Sequence, residues 1–213
     1  MQRIFINNLF KTIFIISFFI ISLSAPSMLM GADSEPERVL KSGVDDMTAV
    51  LNDPAFADEA QKKARKDILF NKADSIFDFS EFSKGALGKN WERFSESQRT
   101  EFTKAFSRLI ANTYLAKIDD ENFQDLKITY LKTEILAPTK SGIERADIAS
   151  DVLHNKVVTP VYYRMMKKKG GSWKIYDVKI EGVSLVGNYR EQYRTRFNDS
   201  PDKIIEEIKE KIK

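Results

Sequence analysis

The sequence predicts an α+β fold: a single domain in which an antiparallel curved sheet of about four strands packs on several helices, with an apolar cavity between the layers. Three observations predict it. From residue 35 to about 115, apolar residues recur three and four apart, the spacing of helices with one buried face. After Asp119-Asp120 the pattern becomes β-branched and aromatic runs, broken by Ala137-Pro138, Ser141-Gly142 and Gly170-Gly171. Beyond Gly182 the helical spacing returns, so helices bracket a block of strands.

Composition narrows the function. The chain has 34 basic and 31 acidic residues, and removing Arg3 and Lys11 with an export leader lowers the formal charge from +3 to about +1. That balance, with no basic block, offers no footprint for nucleic acid. There is no cysteine, which excludes disulfides, thiolate metal sites, cysteine nucleophiles and a lipid-modified N-terminal cysteine. One histidine, His154, cannot build a multi-histidine metal centre, and a Ser-His-Asp triad could form only around it. No G-x-S-x-G or P-loop pattern is found, so no catalytic residue, metal or cofactor is predicted. Fifteen Phe and seven Tyr need burial, or something apolar to bury against.

Residues 1–32 read as a signal peptide. Arg3 and Lys11 supply positive charge, and 13–23 is an apolar run shorter than the roughly 20 residues of a membrane span. An uncleaved anchor is the alternative, and both place the folded part, 33–213, outside the cytoplasm. That leaves about 180 residues, enough for one domain with its own core. A helix is predicted over 35–52, with Ser34 before it, Pro36 in its first turn and Val39, Leu40, Val44, Met47 and Leu51 on one face. A second, over 57–73, carries Lys62, Lys63, Arg65, Lys66 and Asp67, which read as a solvated face. Phe79, Phe82 and Leu87 form the apolar edge of a short helix that Gly88 ends. Ser95 and Gln98 make a capping box, followed by a wide stripe of Phe102, Ala105, Phe106, Leu109, Ile110, Thr113 and Tyr114, expected to lie against the sheet or its cargo.

Strands are predicted over 126–136, 144–153, 156–167 and 173–180. In the second, Ala146, Ile148, Ser150 and Val152 alternate with Arg145, Asp147, Ala149 and Asp151, giving a dry and a wet face. The third is apolar on both faces, as a central strand would be. Through Gly182 the last strand feeds a helix whose stripe is Val186, Tyr189, Tyr193 and Phe197. A final helix, 202–213, carries Ile204, Ile205, Ile208 and Ile212, with mixed charge opposite, and reads as docked on the domain.

The order Trp173, Asp177, Glu181, Gly182, Val183, Ser184, Asn188, Tyr189, Arg190 resembles the signature of the MlaC family, the periplasmic phospholipid-binding proteins also called toluene-tolerance auxiliary proteins. Phe77-Asp78-Phe79, Ala86-Leu87-Gly88, Trp91, and Gln98, Arg99 and Phe102 extend the resemblance over the mature chain. It implies a non-enzymatic carrier, soluble in the periplasm of a Gram-negative bacterium. Such a carrier shuttles phospholipid between an outer-membrane lipoprotein–porin complex and an inner-membrane ABC transporter with an MCE-domain subunit, and so maintains outer-membrane lipid asymmetry. It would contact membranes only through those partners. By the same resemblance the lipid tails lie between sheet and helices, with Val161, Tyr163, Val178, Val183 and Leu185 on the sheet side and Phe79, Phe82, Leu87, Phe106 and Leu109 on the helical side. Core packing explains these residues as well.

Arg190 either meets a headgroup phosphate or partner surface, or closes the strand–helix corner by pairing with a carboxylate. Three alternatives stay open: a carrier of another lipid such as a hopanoid, an envelope adaptor without ligand, or a small α+β enzyme using Asp177 and Glu181 as acid and base.

Overall fold

A computed structural model describes residues 33–56, 58–115 and 123–212. The expected signal peptide and the Asp119-Asp120 boundary lie outside the described residues. Helix α1 (Glu35–Leu51) has Pro36 in its first turn, where a missing N–H loses nothing, and Glu35 and Glu37 at its positive end. It lies on the sheet through Leu40, which is fully buried. A Cβ on Gly43 would collide with Ile76 of helix α2 (Lys62–Ile76), so the two helices cross at a glycine. Helix α2 starts later than the periodicity predicts. Asp53 accepts from the Ala55 N–H at 2.9 Å, and two short 3-10 turns, Pro54–Phe56 and Glu59–Gln61, take up the intervening chain. The charged run is not wholly solvated either, because Arg65 is buried while Lys63 stays exposed.

Helix α3 (Phe79–Leu87) begins on Asp78, whose carboxylate accepts from the Glu81 N–H at 3.0 Å, and ends at Gly88, with φ of 54°. A 3-10 segment, Gly88–Arg93, leads to α4 (Glu96–Leu115). The capping box forms as the spacing predicts. Gln98 N–H donates to Ser95 Oγ at 3.2 Å, and Ser95 N–H donates to Gln98 Oε1 at 3.0 Å.

The sheet is antiparallel, in the order β1 (Lys127–Leu136), β2 (Glu144–His154), β3 (Val157–Lys167), β4 (Trp173–Ile180) and β5 (Val183–Ser184). It therefore has five strands rather than four, the fifth only two residues long. Asn155-Lys156 and Glu181-Gly182, all at positive φ, make the tight turns on either side of β3 and β4. On the inner face Ala146, Ile148 and Ser150 of β2 are buried, as the alternation predicts. Glu37 accepts from Thr133 Oγ1 at 2.6 Å, and Glu35 from Lys167 Nζ at 2.9 Å, so α1 is held over that face. Val158 and Tyr162 of β3 are exposed on the other face.

Helix α5 (Leu185–Arg194) follows β5, and α6 (Pro201–Lys211) closes the chain with Ser200 as its N-cap. Helix α5 stops at Arg194, so Phe197 falls outside its stripe and is 55% exposed, under the Arg93 guanidinium. The stripe of α4 does not lie against the sheet. It packs on α3, α5 and α6, because Ile204, Ile205 and Ile208 of α6 are buried with Phe102, Ala105 and Phe106. Two apolar clusters result. One joins the inner face of the sheet to α1 and α2, and the other joins α3 to α6. Among the described residues, no helix is long and apolar enough to cross a membrane.

The two halves meet at the β4–α5 corner, where Asp177 is 2% exposed. Ser184 Oγ donates to Asp177 Oδ2 at 2.8 Å, and the Val186 N–H donates to Asp177 Oδ1 at 3.1 Å. Asp177→Ala leaves that buried N–H unsatisfied, and a loss of about 2–3 kcal/mol is expected, read as a lower urea midpoint at unchanged m-value. An unchanged midpoint would contradict this role for Asp177.

Candidate functional site

Among the described residues, two side chains touch both apolar clusters, Phe77 and Leu185. Each is placed by a specific backbone feature. Phe77 leaves α2 in an extended conformation and bridges to Ile175 of β4, and the Asp78 N–H donates to the Ile175 carbonyl at 2.8 Å. The link between α2 and α3 is thereby pinned to the sheet. Leu185 is the first residue of α5. Its N-cap, Ser184, accepts from the Gly187 N–H at 2.8 Å while donating to Asp177, which sets the helix axis and turns Leu185 between the layers.

Half-buried apolar side chains border each cluster: Leu109, Ile110 and Tyr189 pack on the helical one, and Tyr163, Val152 and Ile180 on the sheet-side one, and the seam is the junction of the two clusters at Phe77 and Leu185. From Phe77 the rings step into the helical core. Phe77 stacks on Phe79 at 5.3 Å, Phe82 lies 6.0 Å from Phe106, and Phe106 meets Tyr189 edge-on at 4.9 Å.

Several half-buried phenols on these elements are perturbed. Burial holds Tyr163 and Tyr189 above the usual tyrosine range, tempered by hydrogen bonds to Ser150 and Thr113, and pushes Tyr114 up to about 12. The carboxylates weighed as acid and base do not face the seam. Asp177 is held by Ser184, the Val186 N–H and Arg164 at 3.8 Å, and Glu181 is exposed in its turn. That arrangement contradicts the acid–base pairing of those two residues. Among the described residues, no group of three or more His, Cys, Asp or Glu could hold a metal ion.

The ten residues expected to line an acyl site divide by position. Phe82, Leu87 and Phe106 are buried in the helical cluster, with Leu109 at its edge, and Phe79 is buried against Phe77. Val161 and Val178 are buried in the sheet-side cluster, with Tyr163 at its edge, and Leu185 lies between the two. Val183 is set apart, because the two-residue β5 places it at the sheet edge, 42% exposed. Arg190 is exposed, and its Nε donates to the Gly85 carbonyl at 2.7 Å, tying α5 to α3. A Cβ on Gly85 would come 2.7 Å from Val186 Cγ1, so the approach requires the glycine. The corner is closed by Asp177 and the start of α5 rather than by an Arg190–carboxylate pair. Phe77, Ile110, Tyr189 and Ile180 were not among the expected lining residues. The Phe-Asp-Phe motif was the only sequence signal that could have singled out Phe77.

This geometry defines a class: an α+β domain whose sheet and helical layer keep separate apolar cores, with an apolar seam between them. A family model described as MlaC protein matches residues 41–210, most of the chain, and the chain belongs to the MlaC family. Among solved structures, the phospholipid-binding protein from Ralstonia solanacearum in complex with a phospholipid is similar, at a TM-score of 0.68 and 22% identity. The match covers 84% of this chain and 97% of that one. No curated protein gives a significant match.

The raised phenols fix a pH dependence. A tyrosine that stays neutral in the fold but ionises near pH 10 when unfolded contributes stability that is intact below pH 10 and lost as pH rises toward 12. Phenolate absorbance should therefore lag behind model tyrosine and rise together with unfolding above pH 10. Free titration of the buried tyrosines near pH 10 in the folded protein would show that water fills the seam.

Proposed function

We propose that this chain is a soluble periplasmic carrier of phospholipid. It shuttles the lipid between an outer-membrane lipoprotein–porin complex and an inner-membrane MCE-domain ABC transporter, and so maintains outer-membrane lipid asymmetry. Membership of the MlaC family supports this reading, as does the likeness to a fold that holds a phospholipid in another protein. The leader-like sequence of residues 1–32 supports export. The observation that carries the reading is that the sheet-side and helical apolar cores are separate and meet at Phe77 and Leu185, which pack on both.

The physics requires such a seam. Each methylene taken from water stabilises by about 0.8 kcal/mol, so an acyl chain of about 16 carbons is worth on the order of 10 kcal/mol when enclosed. An open groove would leave part of the chain in water, so a carrier gains most by enclosing it between its layers. A domain with two cores can part along the line between them while each core stays packed. The polar head needs no enclosure and remains at the mouth. In this reading Tyr163, Leu185 and Leu109 contact the acyl chains directly, Val161, Val178, Phe79, Phe82, Leu87 and Phe106 back them, and exposed Val183 leaves the lining.

Leu185→Trp should fill the seam and lower phospholipid loading about tenfold, with a stability loss of about 1–3 kcal/mol from overpacking. Val183→Trp, at the sheet edge, should load as wild type. Bound phosphorus per protein after incubation with phospholipid vesicles reads both. Normal loading of folded Leu185→Trp would contradict the seam as the lipid site.

A further inference from the structure

Strand β1 reaches the inner face of the sheet irregularly. Thr133 and Ile135 lie opposite Ile148 and Ala146, so strict alternation would turn Leu131 inward and Tyr130 outward. A bulge intervenes. The register slips between Tyr130 and Lys132, which leaves Leu131 outside the pairing and sets Tyr130 opposite buried Ser150. One extra residue thus re-aims a phenol onto the dry face. There Tyr130 packs at the edge of the sheet-side cluster, and the Lys41 ammonium of α1 lies over its ring, 5.0 Å from the centre.

Neighbouring hydroxyls on that face are satisfied within the fold. Thr133 Oγ1 donates to Glu37 at 2.6 Å, Ser150 Oγ donates to the Val161 carbonyl at 3.3 Å, and Tyr163 shares a hydrogen bond with Ser150. The Tyr130 hydroxyl differs. It is buried and has no hydrogen-bond partner among the described residues. A buried hydroxyl left unpaired is costly, so its retention calls for an acceptor. Burial, with Tyr163 and the carboxylates of Asp45 and Glu37 nearby, holds Tyr130 far above the ordinary tyrosine range, and it stays a neutral donor at physiological pH.

The register places this donor at one end of a row of opposed residues, Tyr130, Ser150, Val161 and Ile180, that crosses the inner face from β1 to β4. Ile180, at the other end, packs on the same sheet-side cluster as Leu185, where the two cores join. Three strand spacings of about 4.8 Å make the row about 14 Å long, close to the roughly 15 Å that the acyl chains of one leaflet span. Hydrocarbon offers no acceptor to a phenol, and a phosphate is best met by cations. An ester carbonyl, where an acyl chain joins its glycerol, is a neutral acceptor that enters an apolar wall together with the chain.

We propose that the Tyr130 hydroxyl donates to an acyl ester carbonyl of the bound lipid, fixing the glycerol end at β1 while an acyl chain runs along the row toward Ile180. The proposal rests on the phospholipid-carrier reading and adds a residue and a chemical group to it. The test uses the full chain, delipidated, and two phosphatidylcholines with the same chains. One is joined by esters (dioleoyl) and one by ethers (di-O-oleyl), and each is presented from cyclodextrin. Wild type should retain the diester about fivefold more tightly, the usual worth of one hydrogen bond. Tyr130→Phe should hold both lipids alike, as wild type holds the diether. Without lipid, its urea midpoint should match or exceed that of wild type, because the deleted hydroxyl has no partner to lose.

A diester preference kept by Tyr130→Phe, or a wild type that holds the two lipids equally, would overturn the assignment and leave the carrier reading standing. A lower lipid-free midpoint in Tyr130→Phe would show that the hydroxyl serves the fold itself, and would overturn it as well. If wild type holds neither lipid, the carrier reading fails and this proposal with it.

Discussion

The buried carboxylate of Asp177 sets the relation between the two halves of this domain. It sits on β4, yet both its oxygens serve the start of α5, one taking the Ser184 hydroxyl and the other the Val186 N–H. A carboxylate so enclosed must be fully hydrogen-bonded to be tolerated, and the partners that satisfy it leave α5 only one way to depart from the sheet. That departure brings Leu185 between the layers and carries Val186 and Tyr193 into the helical core. The Phe77–Ile175 bridge fixes the opposite wall in the same manner. Both pins are polar and directional, whereas the contacts along the seam are apolar and without direction. Such a pairing keeps the layers in register while letting them separate.

The same division accounts for where charge is found. Ion pairs lie toward the outside, as between Lys209 and Glu101, or half-buried Arg196 and Glu207, and pairs open to solvent add little stability. The half-buried polar tips beside the two cores include the neutral phenols of Tyr163 and Tyr189, which carry no ion's desolvation penalty.

Local chemistry was legible in the sequence where it is written in adjacent residues. The Ser95–Gln98 box, the Pro36 start of α1, the turn at Gly182 and the alternation of β2 all act over a few positions and appear where their spacing places them. What was not legible depends on which surface covers which. The stripe of α4 reads the same whether a sheet or a helix lies on it, and only the packing of Ile204, Ile205 and Ile208 decides. Val183 and Leu185 look alike in sequence, two apolar residues flanking Ser184, but the short β5 exposes the first and α5 turns the second inward. Arg65 is buried within a run of charges that periodicity assigns to solvent. The seam is the extreme case, since half-burial between two cores leaves no mark on the spacing of any single element.

The proposed function requires a phospholipid enclosed between the two cores. The direct measurement is mass spectrometry of an organic extract from the full chain, expressed in a Gram-negative host and purified without detergent. Near-stoichiometric phospholipid is the predicted result. Folded protein that yields no lipid under those conditions would contradict the account.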